Sequence, residues 1–211
     1  MPEPLTPVAT FGERRAVAIS WIDGEPLPEG VGDPAVLGPL LEALREVAVS
    51  PQLKAVLHAP RRYDDGLGWA DILSDEVIPR LPAKWRDGVR QRLETLLALE
   101  EVPAGLVHGD LGGGNIHFDR DGKLVGVVDW DMAILSDPAI DAALVATWHG
   151  WDVLRAATDG QTYRRAWAWN DAVEVGHLHA VFANKPLESV DGFVSSIVAW
   201  LEAEWAATSC H

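Results

Sequence analysis

The chain has 211 residues, a net charge of −15 and a single cysteine, Cys210. Its Lys and Arg occur as isolated pairs rather than clusters, which excludes a nucleic-acid backbone binder, and one thiol excludes both an intrachain disulfide framework and a cysteine-built zinc site. No apolar run reaches bilayer length and no basic start precedes an apolar block, so a cytoplasmic protein with one sizeable core and no membrane partner is expected.

In chain order, the Val- and Ile-bearing stretch 17–22 reads as a strand, ended by "DGEPLPEG". Residues 34–48 carry Leu37, Leu40, Leu41, Leu44 and Val47 at helical spacing. Residues 59–68, "APRRYDDGLG", read as a loop, and 69–79 and 83–100 as helices, the second with Trp85, Val89, Leu93, Leu96 and Leu97 in one stripe. The pattern then changes. "GLVH" is a short apolar strand, and "NIHF" and "KLVGVVDW" flank "DRDG", a good hairpin connection. Helices follow at about Ala139 to Trp148, with Pro138 at the first turn, and at Gln161 to Val181 and Asp191 to Ala206; Phe193, Ile197, Trp200 and Leu201 mark the buried face of the last.

The hairpin sets the chemistry. Asn115 begins one of its strands, Asp129 ends the other, and the loop with Asp110 precedes the first, so three oxygen-bearing side chains converge on one corner. Hard cations such as Mg²⁺ take such oxygen ligands. Gly112, Gly113 and Gly114 let the backbone bend there and a bulky ligand approach. Seen singly, Asp129 is a strand-end turn residue, Asn115 a capping amide and Asp141 an ordinary helix N-terminal Asp. His177 and His179 do not share a helix face, and "GDLGGGN" lacks the Lys of a phosphate-binding Walker loop. A metallophosphoesterase is the better rival, but it needs further His ligands downstream.

His108-Gly109-Asp110, four residues, then Asn115 has the spacing of a kinase catalytic loop, and Asp129 stands where a metal-binding Asp ends the following strand. The stretch "LVHGDLGGGNIHFDRDGKLVGVVDWDMAILSDPAIDAAL" resembles the aminoglycoside phosphotransferase and choline kinase-like family, with "SDP" where "GDP" is common and "DAA" for "DLA". The resemblance implies an α+β, protein-kinase-like fold. It casts Asp110 as the catalytic base, Asn115 and Asp129 as Mg²⁺ ligands, His108 as an internal buttress, and Asp141 as a buried brace of the catalytic loop. It also implies ATP or GTP as phosphate donor and a hydroxyl of a small, cationic molecule as acceptor, with antibiotic resistance among its roles.

The resemblance covers roughly Ala16 onward. Residues 1–30 then correspond to a remnant of the N-lobe and the hinge, with the Ser20 carbonyl and the Ile22 N–H facing the nucleotide base, and 31–211 to a helical C-lobe carrying the small catalytic hairpin. An edge strand with a Gly-Pro turn is the other reading of the hinge segment. A strand Lys ahead of the hinge is missing, since the first Lys is Lys54. Most of the N-lobe is therefore expected to be absent, which leaves apolar surface open and favours a homodimer. The alternative function is a catalytically inactive binding or interaction module on the same fold.

Overall fold

The computed structural model describes residues 2–57, 69–176, 192, 194, 195 and 197–203. The N-terminal segment is an exposed two-stranded hairpin, β1 (Ala9–Phe11) against β2 (Arg14–Ala16), in the register Ala9↔Ala16. The expected strand over 17–22 is displaced toward the N-terminus. Gly12, at φ +63°, makes the turn that pairs 9–11 with 14–16, and beyond it only a single bridge joins Pro4 and Ile19. Ser20 is held against Glu3 instead, through its N–H to the Glu3 carbonyl (2.8 Å) and through its hydroxyl, which accepts the Glu3 N–H (2.8 Å).

A short β3 (Glu25–Pro26) leads to α1 (Pro34–Arg45), whose start follows from local chemistry. The Asp33 side chain accepts the Ala35 N–H at 2.9 Å, and Pro34 occupies the first turn, where its missing donor costs nothing. Leu37, Leu40 and Leu44 are buried, whereas Val47 lies beyond the helix and is exposed. Ser50 caps a further helix, α2 (Pro51–Val56), which the periodicity does not announce. The loop expected over 59–68 lies outside the described residues. The helical reading of 69–79 holds, although only α3 (Trp69–Ile72) is α-helical; a π turn (Leu73–Val77) and a 3₁₀ turn (Ile78–Arg80) complete it. α4 (Ala83–Leu97) buries Val89, Leu93 and Leu96, but Leu97, at the edge of that stripe and the last residue of the helix, is 56% exposed.

β4 (Gly105–Val107) is wholly buried and pairs antiparallel with β7 (Ile134–Ser136), a strand the sequence reading did not separate from the turn before the helix that starts at Ala139. β5 (Ile116–Phe118) and β6 (Leu124–Val127) form the expected hairpin, and β3 adds to its outer edge in the order β3-β5-β6. Asp119 closes the connecting turn, its carboxylate accepting the N–H groups of Asp121 and Lys123 at 2.9 Å.

α5 (Ala139–His149), α6 (Trp151–Ala157) and α7 (Gly160–Gly176) follow. Gly150, at φ +105°, separates α5 from α6, and Asp159 caps α7 by accepting the N–H groups of Gln161 and Thr162. In the last helical stretch Ile197 and Leu201 are buried beside Leu93 of α4, and Trp200 packs on them; Phe193 and the pair His177 and His179 lie outside the described residues. α5 sits at the centre: Ala139, Ala142, Ala143 and Ala146 pack with Ala166, Trp169 and Ala172 of α7, and Val145 packs with Leu37 and Leu40 of α1 and with Leu111 and Ile116 of the hairpin region. Small residues on α5 admit its neighbours closely, so one helix touches every element that positions the loop 108–115.

Candidate active site

β4 carries the chain through the core and delivers His108, itself fully buried, to the start of the loop. The next residue must turn sharply. Gly109 has φ +82°, and the Met132 carbonyl occupies the space a Cβ would need. The Asp110 N–H donates to His108 Nδ1 at 3.3 Å, which makes that nitrogen the acceptor and leaves the proton on Nε2. Nε2 donates to the Val128 carbonyl at 2.8 Å, and the Trp130 ring lies 4.6 Å from the imidazole centroid. Burial lowers the His108 pKa against the opposing pull of the Val128 carbonyl and of the Asp110 and Asp129 charges, so the imidazole is a neutral linker.

Asp141, in the first turn of α5, is 2% exposed. Its two carboxylate oxygens accept the main-chain N–H groups of His108 (2.8 Å) and Gly109 (3.0 Å). Burial pushes its pKa up to about 7, while those two donors pull the other way.

Asn115 closes a 3₁₀ turn, Gly113–Asn115, with its N–H on the Gly112 carbonyl at 3.0 Å. Its side-chain amide donates to the Asp110 carbonyl at 2.7 Å and to Asp110 Oδ2 at 3.1 Å. The Asn115 carbonyl accepts the Val128 N–H at 3.0 Å, one residue before Asp129. Asp129 is exposed and stands at φ +59°, the one described non-glycine residue in the left-handed region, a strained position that re-aims the chain at the end of β6. The structure thus joins Asp110 and Asn115 directly and sets Asp129 next to the residue hydrogen-bonded to Asn115.

The donor chemistry fits a hard cation. Both amide hydrogens of Asn115 face Asp110, which leaves Asn115 Oδ1 as a free acceptor, and the Asp129 carboxylate is open to solvent. Among the described residues no group of three His, Cys, Asp or Glu side chains could hold a metal.

Ser20 and Ile22, the two residues expected to read the nucleotide base, lie in the segment between β2 and β3. Among the described residues no donor reaches the Ser20 carbonyl and no acceptor the Ile22 N–H, so both groups named for base recognition are unengaged. The Ile22 side chain fills the space above Gly126 of β6, which docks this segment on the β5–β6 hairpin. Asp131 is exposed, and His117 is half-buried with Nδ1 2.9 Å from the Gly24 carbonyl.

Sequence reasoning missed Asp137. Its Oδ2 accepts Nη2 (2.6 Å) and Nε (3.1 Å) of Arg165 and the indole N–H of Trp169 (2.8 Å), and its Oδ1 accepts the Ala139 N–H (3.0 Å). This pins α7 to the start of α5, one turn from Asp141. An Asp just before a helix reads as a cap, and nothing in the spacing names a cation 28 residues away. A cavity of about 670 Å³ opens at the same end of β4, between α1, α5 and the α6–α7 turn; none of Asp110, Asn115 or Asp129 lines it.

Solved phosphotransferases share this fold. The GDP complex of wild-type aminoglycoside 2'-phosphotransferase-IIIa matches with a TM-score of 0.72 at 17% identity, over 94% of this chain and 74% of the other. Macrolide 2'-phosphotransferase type I matches with a TM-score of 0.65 at 16% identity, over 90% of this chain and 71% of the other. In sequence, the viomycin phosphotransferase of Streptomyces vinaceus is 30% identical over 167 residues, 72% of this chain and 58% of the relative. The hygromycin-B 4-O-kinase of Escherichia coli is 29% identical over 153 residues, 65% of this chain and 43% of the relative. The chain spans about half the length of these two curated relatives. The braced loop and hairpin fall within residues 1–179, which match the model of the phosphotransferase enzyme family, and the chain belongs to that family.

Proposed function

We propose that the chain acts as the helical lobe, residues 31–211, of a small-molecule phosphotransferase, with residues 1–30 as the hinge and the remnant of the nucleotide-covering lobe. Asp110 holds the acceptor hydroxyl and takes its proton as the hydroxyl oxygen attacks the γ-phosphorus of ATP or GTP. A new O–P bond forms, the bridging bond to the β-phosphate breaks, and a nucleoside diphosphate leaves. Asn115 and Asp129 would hold Mg²⁺, which neutralises phosphate charge when bound. The Ser20 carbonyl and the Ile22 N–H would read the base edge. An acidic chain attracts a cationic acceptor of the small-molecule class to which the viomycin and hygromycin-B in the relatives' names belong.

One observation carries this reading. The Asn115 amide is bonded to the Asp110 carboxylate while the loop that bears both is fixed at His108 and Gly109 by the buried Asp141. Such preorganisation serves a reaction that is mostly positioning and charge neutralisation. Thermal shift with ATP and with GTP, with and without Mg²⁺, tests it. A Mg²⁺-dependent rise that Asp129→Ala abolishes is expected. Asp110→Asn should keep that rise and lose phosphate transfer by about 10²–10⁴-fold, the usual worth of a positioned base. No shift with either nucleotide favours the inactive binding module, and transfer at the wild-type rate in Asp110→Asn removes the base assignment.

A further inference from the structure

α5 grips the loop at three points, and only the first, Asp141, follows from the motif. Residues 141, 145 and 148 stand at i, i+4 and i+7, one face of the helix. Asp141 holds the main chain of His108 and Gly109. Val145 is buried in the same cluster as Leu111 and Ile116. The Trp148 indole lies directly on Gly113, filling the place a Cβ there would take. Its ring N–H donates to the Leu27 carbonyl at 2.9 Å, and its own carbonyl accepts the Gly30 N–H at 2.8 Å. The ring is therefore fixed from behind by the segment that leaves the hinge, and in front it meets the turn ending in Asn115.

We propose that Trp148 is a positioning residue for Asn115, seating the Gly112–Asn115 turn so that the amide reaches Asp110 and presents Oδ1 to a metal. The role as a metal limb rests on the phosphotransferase reading; the seat itself does not. Gly113 is the counterpart of the ring: the turn can lie flat on the indole only where there is no side chain. The same contact links the linker 27–30 to the metal limb, so a shift of the hinge segment reaches Asn115 through one rigid aromatic group.

Hydrogen exchange separates the seat from the chemistry. In Trp148→Ala, amide exchange across 111–116 should rise at least tenfold, while 107–110, held by Asp141, stays protected. Trp148→Phe, which keeps a ring but loses the Leu27 bond, should fall between, and it answers the question if the alanine variant fails to fold. Gly113→Ala should show the same local loss, and adding Trp148→Ala to it should restore part of the protection, because the methyl then has room. Unchanged exchange over 111–116 in both Trp148 variants overturns the inference, as does simple additivity of the pair.

In parallel, the Mg²⁺ concentration giving half the nucleotide-dependent thermal shift should rise about 10–100-fold in Trp148→Phe, the usual cost of losing support behind a ligand. The metal-free nucleotide response should stay put. A metal requirement equal to wild type overturns the link to the metal limb. A wild-type chain with no Mg²⁺-dependent shift overturns the phosphotransferase reading instead, and the exchange data still decide the seat.

Discussion

His108 and Val128 are joined by a hydrogen bond of 2.8 Å from imidazole Nε2 to the main-chain carbonyl, and the same ring accepts the Asp110 N–H. One buried side chain thus spans the loop that bears Asp110 and the chain that leaves β6 toward Asp129, and fixes their separation. His108→Ala removes both bonds and leaves a void beside Trp130. Urea unfolding should show a loss of about 2–4 kcal/mol, from a cavity plus an orphaned carbonyl. An unchanged midpoint would contradict the bridging role.

Asp141 and His108 give stability opposite pH dependences. Burial holds Asp141 up near 7, so its contribution is full below the ordinary carboxylate value of 3.8 and is lost as pH rises through about 7. Burial holds His108 below its ordinary 6.5, so its contribution is present above that value and lost as pH falls through the lowered one. Asp141→Asn cannot accept both N–H groups and should cost about 1–3 kcal/mol near neutrality. It also removes the Asp141 titration, so the stability difference between wild type and Asp141→Asn should fall as pH rises from 4 to 7 and level off beyond. A difference that grows with pH across that window would reverse the assignment.

Gly109 combines a positive φ with the Met132 carbonyl oxygen inside contact distance of its missing Cβ. Gly109→Ala should cost at least about 1–2 kcal/mol from the left-handed backbone alone, more with the clash. Calorimetry would show it as a fall in Tm. Gly112→Ala serves as the control, since nothing lies within 4 Å of its Cβ position and its φ is negative.

Arg165 and Asp137 form a pair whose side chains are 11% and 10% exposed, with the Glu100 carbonyl as a further acceptor for the guanidinium. Arg165→Met leaves the carboxylate with only Trp169 and Ala139 as donors. A loss of about 3–5 kcal/mol is expected, against less for Arg165→Lys, which keeps the charge but not the fork. Equally small losses in the two variants would mean that packing of the stem, which both keep, and not the ion pair, ties α7 to α5.

Leu5, Val8, Phe11, Ile19 and Trp21, in and beside the β1–β2 hairpin, are exposed, the last at 89%. Apolar side chains concentrated on one projecting segment favour association with a second copy. Light scattering should give the mass of a dimer, and Phe11→Ser with Trp21→Ser should return it to a monomer. A monomer at high protein concentration in the unsubstituted chain removes the expectation.

What the order of residues determined by itself is local and periodic. Leu37, Leu40 and Leu44 announce α1, "DRDG" announces the hairpin turn, and His108, Asp110, Asn115 and Asp129 announce the loop and strand end, because spacing along the chain dictates face and turn. Tertiary structure alone decided the partners. β7 is too short for an alternating pattern and exists through its pairing with β4. The strand at 14–16 is placed by its partner at 9–11. Arg165 meets Asp137 across 28 residues, and Trp148 meets Gly113 across 35. Such contacts arise only when α5 is buried among all its neighbours, since close packing fixes which side chains share a volume, and no period in the chain encodes that.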